Sequence, residues 1–254
     1  MTWLTLLASP VYGVLCAWCA RLLIDRVPGR EPLLGPLRCG NCASALTWYE
    51  QLPLIAWLLR RARCHSCRAQ LGGRQALLEA ICVLMAFDVL TQSLPGITFV
   101  PWLLYIPIAM ALAVIDLREK RLPDALTLPS AAGALVLLAA DAAMHGLSGL
   151  LHACAGAALL FAVYFLMNLL SRGGMGMGDV KLALSIGAIT GYLGWVYTVG
   201  ATMLAFLAGG AVSAVLLASR RADRKGTIPF GPFMLLGAFG ALPLAGLLTS
   251  FLSA

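Results

Sequence analysis

The stretch ITFVPWLLYIPIAMALAVID, residues 97–116, carries no charge until its last residue, Asp116. A helix needs about 20 predominantly apolar residues to cross the hydrocarbon core of a bilayer, and this run has that length. Reading outward, seven further apolar runs follow the same pattern: Trp3–Leu23, Ala76–Leu94, Leu126–Met144, Leu147–Leu170, Val180–Leu193, Trp195–Ser219 and Pro232–Leu252. Turn-forming residues separate them: Leu94-Pro95-Gly96, His145-Gly146, the glycine cluster from Gly173 to Gly178, Gly191 to Gly194, and Gly226 to Pro232. The expectation is an all-α, polytopic transmembrane bundle of about eight helices. The sixth run is short, so the sixth and seventh helices have the least defined boundaries. The first run has no basic residue ahead of it, is too long for a signal-peptide core and lacks an obvious small-residue cleavage site, so it reads as a retained helix.

Composition agrees. Of 254 residues, 61% are hydrophobic and 11% charged, with a mean hydropathy of +0.89; a soluble domain is about half apolar and a quarter charged. The formal net charge of +7 raises nucleic acid as a partner, but the placement of the charges excludes it. With the amino terminus outside, segments 24–75, 116–125, 171–179 and 220–231 face inward, and Arg21 and Lys181 flank the same side. All 18 basic residues then lie on the inner side, as the positive-inside rule requires. The basic excess is a topology signal, with some attraction to anionic lipid heads.

One sizeable hydrophilic segment remains, residues 24–75, on the cytoplasmic side. About 50 residues make a small core that usually needs a metal or disulfides as a staple. The segment holds two CxxC pairs, Cys39/Cys42 and Cys64/Cys67. Two such turns let four thiolates converge on one tetrahedral metal, the pattern of a structural zinc site. The alternative is a pair of disulfides, which do not usually persist in a reducing cytoplasm. His65, inside the second knuckle, reads as a solvent-facing histidine and not a ligand. Cys16, Cys19, Cys82 and Cys154 lie in apolar runs and read as small packing residues.

Carboxylates in or beside apolar spans are expensive and are functional candidates by default. Among Glu79, Asp88, Asp116, Asp124, Asp141 and Asp179, topology singles out two. Asp116 ends the third run and Asp179 begins the sixth, so both lie at the cytoplasmic interface, and the hairpin 126–170 runs out and back between them. Gly176 and Gly178 beside Asp179 leave room for close backbone approach. Two carboxylates a few ångströms apart in a low-dielectric site do not both ionise readily, so the pair holds one proton. The ionised member deprotonates a water while the other donates to a scissile carbonyl oxygen. The alternative is that both are helix caps. Asp124 reads mainly as the cap of the fourth span, and Asp88 and Asp141 as neutral or hydrogen-bonded packing features. No Ser/His/Asp set emerges, because His65, His145 and His152 divide between opposite faces. HExxH and Walker-type loops are absent, and Gly174-x-Gly176-x-Gly178 has no strand before it.

Asp116-Leu117, Leu122-Pro123-Asp124 and Leu126-Thr127-Leu128-Pro129 resemble the first aspartate motif of the bacterial prepilin peptidases, and Gly176-Met177-Gly178-Asp179-Val180-Lys181-Leu182 resembles their GxGD motif. The two cysteine pairs with Trp48-Tyr49-Glu50, Leu52-Pro53-Leu54 and Trp57-Leu58 are similar to the family's cytoplasmic loop, and Pro229-Phe230-Gly231-Pro232 to its last loop. The resemblance implies that Asp116 and Asp179 are the catalytic pair of an aspartyl endopeptidase, with Gly176, Gly178, Lys181 and Asp124 supporting the site. It implies prepilin or pseudopilin substrates, cut after a glycine, in the bacterial inner membrane. Many members also transfer a methyl group from S-adenosylmethionine to the new amino terminus. Two departures fall in the cytoplasmic region, where Leu22 to Pro28 keeps only Arg26-x-Pro28 of the family's pattern and Arg74 to Glu79 lacks its Tyr-Pro, and they put methyl transfer in doubt while leaving proteolysis untouched. Trp48, Tyr49 and Glu50 could flank the cofactor's adenosyl group and sulfonium, or pack under the knuckles.

The expected organisation is residues 1–94, two helices with the zinc-stapled loop, and 95–254, a six-helix protease domain, in a monomeric or weakly associating chain. A non-enzymatic scaffold or proton-coupled carrier is the alternative from another class. It expects acids along a path through the bilayer, whereas Asp116 and Asp179 share one interface.

Overall fold

The computed structural model describes residues 3–32, 35, 37–39, 41–51, 61, 63–70, 73–92, 94, 97–171, 175–219 and 229–252. The expected motifs at Leu52-Pro53-Leu54 and Trp57-Leu58, the Pro95-Gly96 turn and the glycines Gly173, Gly174 and Gly226 lie outside them. Among the described residues there are eight long helices and no strand: α1 Trp3–Arg26, α2 Gly73–Thr91, α3 Phe99–Glu119, α4 Asp124–His145, α5 Ser148–Leu170, α6 Met177–Leu193, α7 Trp195–Ala218 and α8 Gly231–Leu252. A single helical turn covers Trp48–Gln51. Five helices are long and apolar enough to cross a membrane: α1 from Thr5, α3, α4, α5 and α7. The chain is thus an all-α, multi-pass membrane protein. The expected short sixth span is the 17-residue α6.

The chain divides into two compact units. Residues 1–91 with 106–111 form the first, and 92–105 with 112–254 form the second. In the first, α1 and α2 pack so closely that a Cβ on Gly13 would lie 2.5 Å from the Val83 Cα. Past α1, the buried Arg26 guanidinium donates to the carbonyls of Pro32 and Gly35, shaping the start of the hydrophilic segment.

The second unit rests on the α5–α6 seam. A Cβ on Gly156 would meet the Gly187 carbonyl oxygen at 2.5 Å, and one on Gly191 would meet the His152 carbonyl at 2.6 Å. In lipid, where helices gain little from hiding apolar surface from one another, such small-residue seams let backbones touch and supply dispersion contact. Asp141 at the other end of α4 accepts from the Ile97 N–H, the Tyr192 hydroxyl and His145 Nδ1. It is the hydrogen-bonded packing feature expected.

Candidate active site and metal centre

Local structure explains how Asp116 comes to its position. It lies in the last turn of α3, and its carbonyl accepts from the N–H of Lys120 at 2.8 Å. Lys120 takes the left-handed conformation (φ 53°) that closes a helix C-terminus. The chain reverses over residues 120–123 and enters α4 through an extended Pro123. On the other side, Gly176 is extended and α6 begins at Met177, which puts Asp179 in the first turn. Met175, just before Gly176, is tied to the end of α5, where the Asn168 amide donates to the Met175 carbonyl and Ser171 Oγ accepts from the Met175 N–H.

These two ends meet at Leu122 and Gly231. A Cβ on Gly178 would fall 2.8 Å from Leu122 Cβ, so the reversal after α3 lies directly on the start of α6. Gly231, first residue of α8, donates its N–H to Asp116 Oδ2 at 3.0 Å, and a Cβ there would come within 2.8 Å of the same oxygen. Asp116 and Asp179 are 4% and 8% exposed, and the charge of Asp116 acts on Asp179. Asp179 also takes a hydrogen bond from the Gly176 backbone, the reach-back of a capping box, so its cap role and its placement beside Asp116 coexist.

Asp124 requires a correction. Pro123 holds the N-cap position, Asp124 opens the first turn of α4, and its Oδ1 pairs with Lys181 Nζ at 2.7 Å. The pair links the starts of α4 and α6. Nothing in sequence spacing joins these two residues, although their shared membrane face was readable.

The two cysteine turns have the same backbone. Cys39 and Cys64 each accept, on the carbonyl, from the residue four positions on, Ala43 at 2.9 Å and Arg68 at 3.0 Å. Both acceptor-linked residues are left-handed (φ 56° and 57°), and isolated bridges Arg38–Ala45 and Arg63–Gln70 close the turns. The four Sγ atoms lie within 4.8 Å of one another, with Cys39–Cys67 at 3.8 Å and Cys42–Cys64 at 3.9 Å. A disulfide needs about 2.05 Å, so the cysteines are free thiols. Four sulfurs at tetrahedral corners about 2.3 Å from an ion are about 3.8 Å apart. Backbone N–H groups of Cys67 and Ser66 pull the Cys64 thiol down to about 6, into the thiolate range a metal ligand needs. The cluster could therefore hold a metal ion.

Glu50 is fully buried. Its Oε2 accepts from the Thr47 N–H (2.9 Å), the Thr47 hydroxyl (2.8 Å) and His65 Nδ1 (2.9 Å), and its Oε1 from the His65 N–H (2.6 Å). Burial works to raise its carboxyl, but these bonds outweigh it and hold the group at about 2. Such a carboxylate ties the helical turn to the second knuckle. His65 is exposed, as expected, yet its ring serves this tie. The side chains of Trp48 and Tyr49 lie outside the described residues.

Comparison with known proteins decides the family. The profile of the type IV leader peptidase family matches residues 102–214, and that of the bacterial peptidase A24 N-terminal domain matches 11–92. The chain is 33% identical over 205 residues to the prepilin leader peptidase/N-methyltransferase of Aeromonas hydrophila, covering 80% of this chain and 70% of the relative. It is 34% identical over 212 residues to the protein of the same name from Dickeya chrysanthemi, covering 81% and 72%. This chain belongs to the type IV leader peptidase family. A third relative of that name, from Burkholderia pseudomallei, is 31% identical over 221 residues, covering 86% and 70%. No solved structure matches the chain. Membership in the leader peptidase family makes the chain a membrane protease and leaves the scaffold or carrier alternative without support.

Proposed function

We propose that this leader peptidase cuts type IV prepilins or pseudopilins at the cytoplasmic face of the bacterial inner membrane, with Asp116 and Asp179 as its catalytic pair. The observation that carries the reading is two nearly buried carboxylates, remote in sequence, within electrostatic reach of one another where α3 ends and α6 begins. The ionised carboxylate takes a proton from a water, whose oxygen attacks the scissile carbonyl carbon. The protonated one donates to the carbonyl oxygen, and a proton passes to the leaving amine as the C–N bond breaks. Gly231 orients Asp116 through its N–H, Gly176 gives its backbone N–H to Asp179, Gly178 leaves room for Leu122 against the start of α6, and Lys181 with Asp124 braces the two helix starts. The distribution of basic residues supports a periplasmic amino terminus, so that the substrate's basic leader projects into the cytoplasm beside the pair.

Cys39, Cys42, Cys64 and Cys67 would hold one zinc ion, a closed four-thiolate staple for the hydrophilic segment with no open coordination position for catalysis. Methyl transfer from S-adenosylmethionine to the new amino terminus is proposed on the relatives' names.

The test is to incubate the purified chain with a prepilin of basic leader, terminal glycine and apolar segment, with and without S-adenosylmethionine, and to weigh the products. Release of the intact leader is expected, and one methyl group on the product when the cofactor is present. An uncut substrate with folded, metal-loaded protein would overturn the protease reading; a cut but unmethylated product would leave a protease alone.

A further inference from the structure

Each of the two acids accepts one backbone N–H, and the two donors are set in place differently. Gly231, which donates to Asp116, is itself the first residue of α8. Gly176, which donates to Asp179, stands just ahead of α6, and its direction is fixed from a third helix, α5. Asn168 carries the one side-chain amide on α5 and lies half-buried two residues before that helix ends. Its Nδ2 donates to the Met175 carbonyl at 2.5 Å.

The Met175 carbonyl and the Gly176 N–H belong to one peptide group. A trans peptide is planar, with its carbonyl and N–H pointing to opposite sides. An anchor on the carbonyl therefore sets where the N–H points, and it points at the Asp179 carboxylate. The contact is close. A Cβ on Gly176 would lie 3.7 Å from Asp179 Oδ2, and the Asp179 N–H donates back to the Gly176 carbonyl at 3.1 Å. Ser171 holds the other side of Met175: its Oγ accepts from the Met175 N–H at 3.3 Å and donates to the Asn168 carbonyl at 3.1 Å. Asn168 and Ser171 are three positions apart, on one face of the helix end. An amide that served only to close α5 would satisfy that helix's own end groups. The Asn168 amide instead leaves its helix for the peptide that meets the acid.

We propose that Asn168 is a positioning residue of the aspartate site, its amide orienting the Met175–Gly176 peptide so that the Gly176 N–H sets the Asp179 carboxylate for proton exchange. The inference rests on Asp116 and Asp179 being the catalytic pair. Asn168 exchanges no proton itself and acts through one peptide plane. Losing the anchor loosens the acid and removes no substrate contact, so the loss belongs in kcat and not in KM.

The test compares N168L, N168A, N168Q and D179N in the full chain, with prepilin cleavage kinetics and thermal midpoints measured together. N168L keeps the bulk of the side chain and N168A does not, and both lack the donor; N168Q keeps the amide. The kcat of N168L and of N168A is expected to fall on the order of 10-fold, about the worth of one neutral hydrogen bond, with KM and thermal midpoint nearly unchanged. N168Q is expected to regain most of that loss. Should N168L fail to fold, N168A and N168Q carry the same comparison. Wild-type kcat without the donor, beside an inactive D179N, would overturn the role of Asn168 and leave the acid pair standing. A loss confined to N168A, or an N168Q as slow as N168A, would make Asn168 a packing residue and likewise overturn it. An active D179N would instead remove the acid-pair reading on which the inference rests.

Discussion

The cysteine turns and the aspartate site assemble reactive side chains in opposite ways. At the knuckles, each half is a local turn that repeats the same hydrogen bonds, and the neighbouring polar groups are saturated. The Glu50 carboxylate alone accepts four bonds. At the aspartates, one acid closes a helix and the other opens one, and the elements that join them, Leu122, Gly231 and the α5–α6 glycine seam, come from four parts of the chain. There two nearly buried carboxylates share one neighbourhood. A saturated network is a brace, because every group already has its bond in the ground state. Asp116 and Asp179 each accept one backbone N–H, against the four bonds at Glu50, and so keep acceptor capacity for a molecule that arrives later.

Four changes can break or sharpen that contrast. The largest effect belongs to the brace. Cys64→Ser should take metal content from one ion per chain to nearly none, since a closed tetrahedral site does not survive the loss of a thiolate. Elemental analysis of the purified variant checks it, and a retained full equivalent would remove Cys64 from the ligand set. Next is Gly231→Ala, whose new Cβ would lie 2.8 Å from Asp116 Oδ2. Displacing the acid should slow cleavage by on the order of 100-fold with metal content untouched, and wild-type turnover would mean that Gly231 does not position Asp116. Glu50→Gln should lower the stability of the knuckle segment by about 1–3 kcal/mol, read as easier metal release to a chelator. Selective loss of methylation with unaltered metal retention would instead restore Glu50 to the cofactor site. The smallest change is Asp124→Asn, which should cost less than about 1 kcal/mol because the pair with Lys181 is largely exposed. A loss of cleavage equal to that of an Asp116 variant would show Asp124 to be one of the acids.

Legibility in the sequence followed the same divide. The eight helices were readable because bilayer thickness imposes one length on every apolar run, and α6 was readable as short. The cysteine cluster was readable because CxxC spacing is itself the geometry of one knuckle. Asp116 and Asp179 stood out by membrane face, but the contacts that bring them together were not legible. Gly231 is an ordinary helix start until Asp116 is seen against it, and Asn168 shows no sign of holding Met175. Asp124 looked like a cap because it opens a helix, and only tertiary packing delivered Lys181 to it. Glu50 looked available to a cofactor because an acid between aromatics and cysteines gives no hint that the exposed His65 bonds back to it through its ring and its N–H. Residues whose role is set within four positions were readable; those set by a partner on another helix were not.

The most direct test of the acid pair is single-turnover cleavage of a model prepilin by Asp116→Asn and Asp179→Asn, each verified as inserted, folded and metal-loaded. Each amide keeps the shape of the side chain but neither cycles a proton nor shares one, so both variants should show no leader release above background. Substantial cleavage by either folded variant would contradict the assignment of Asp116 and Asp179 as the catalytic pair.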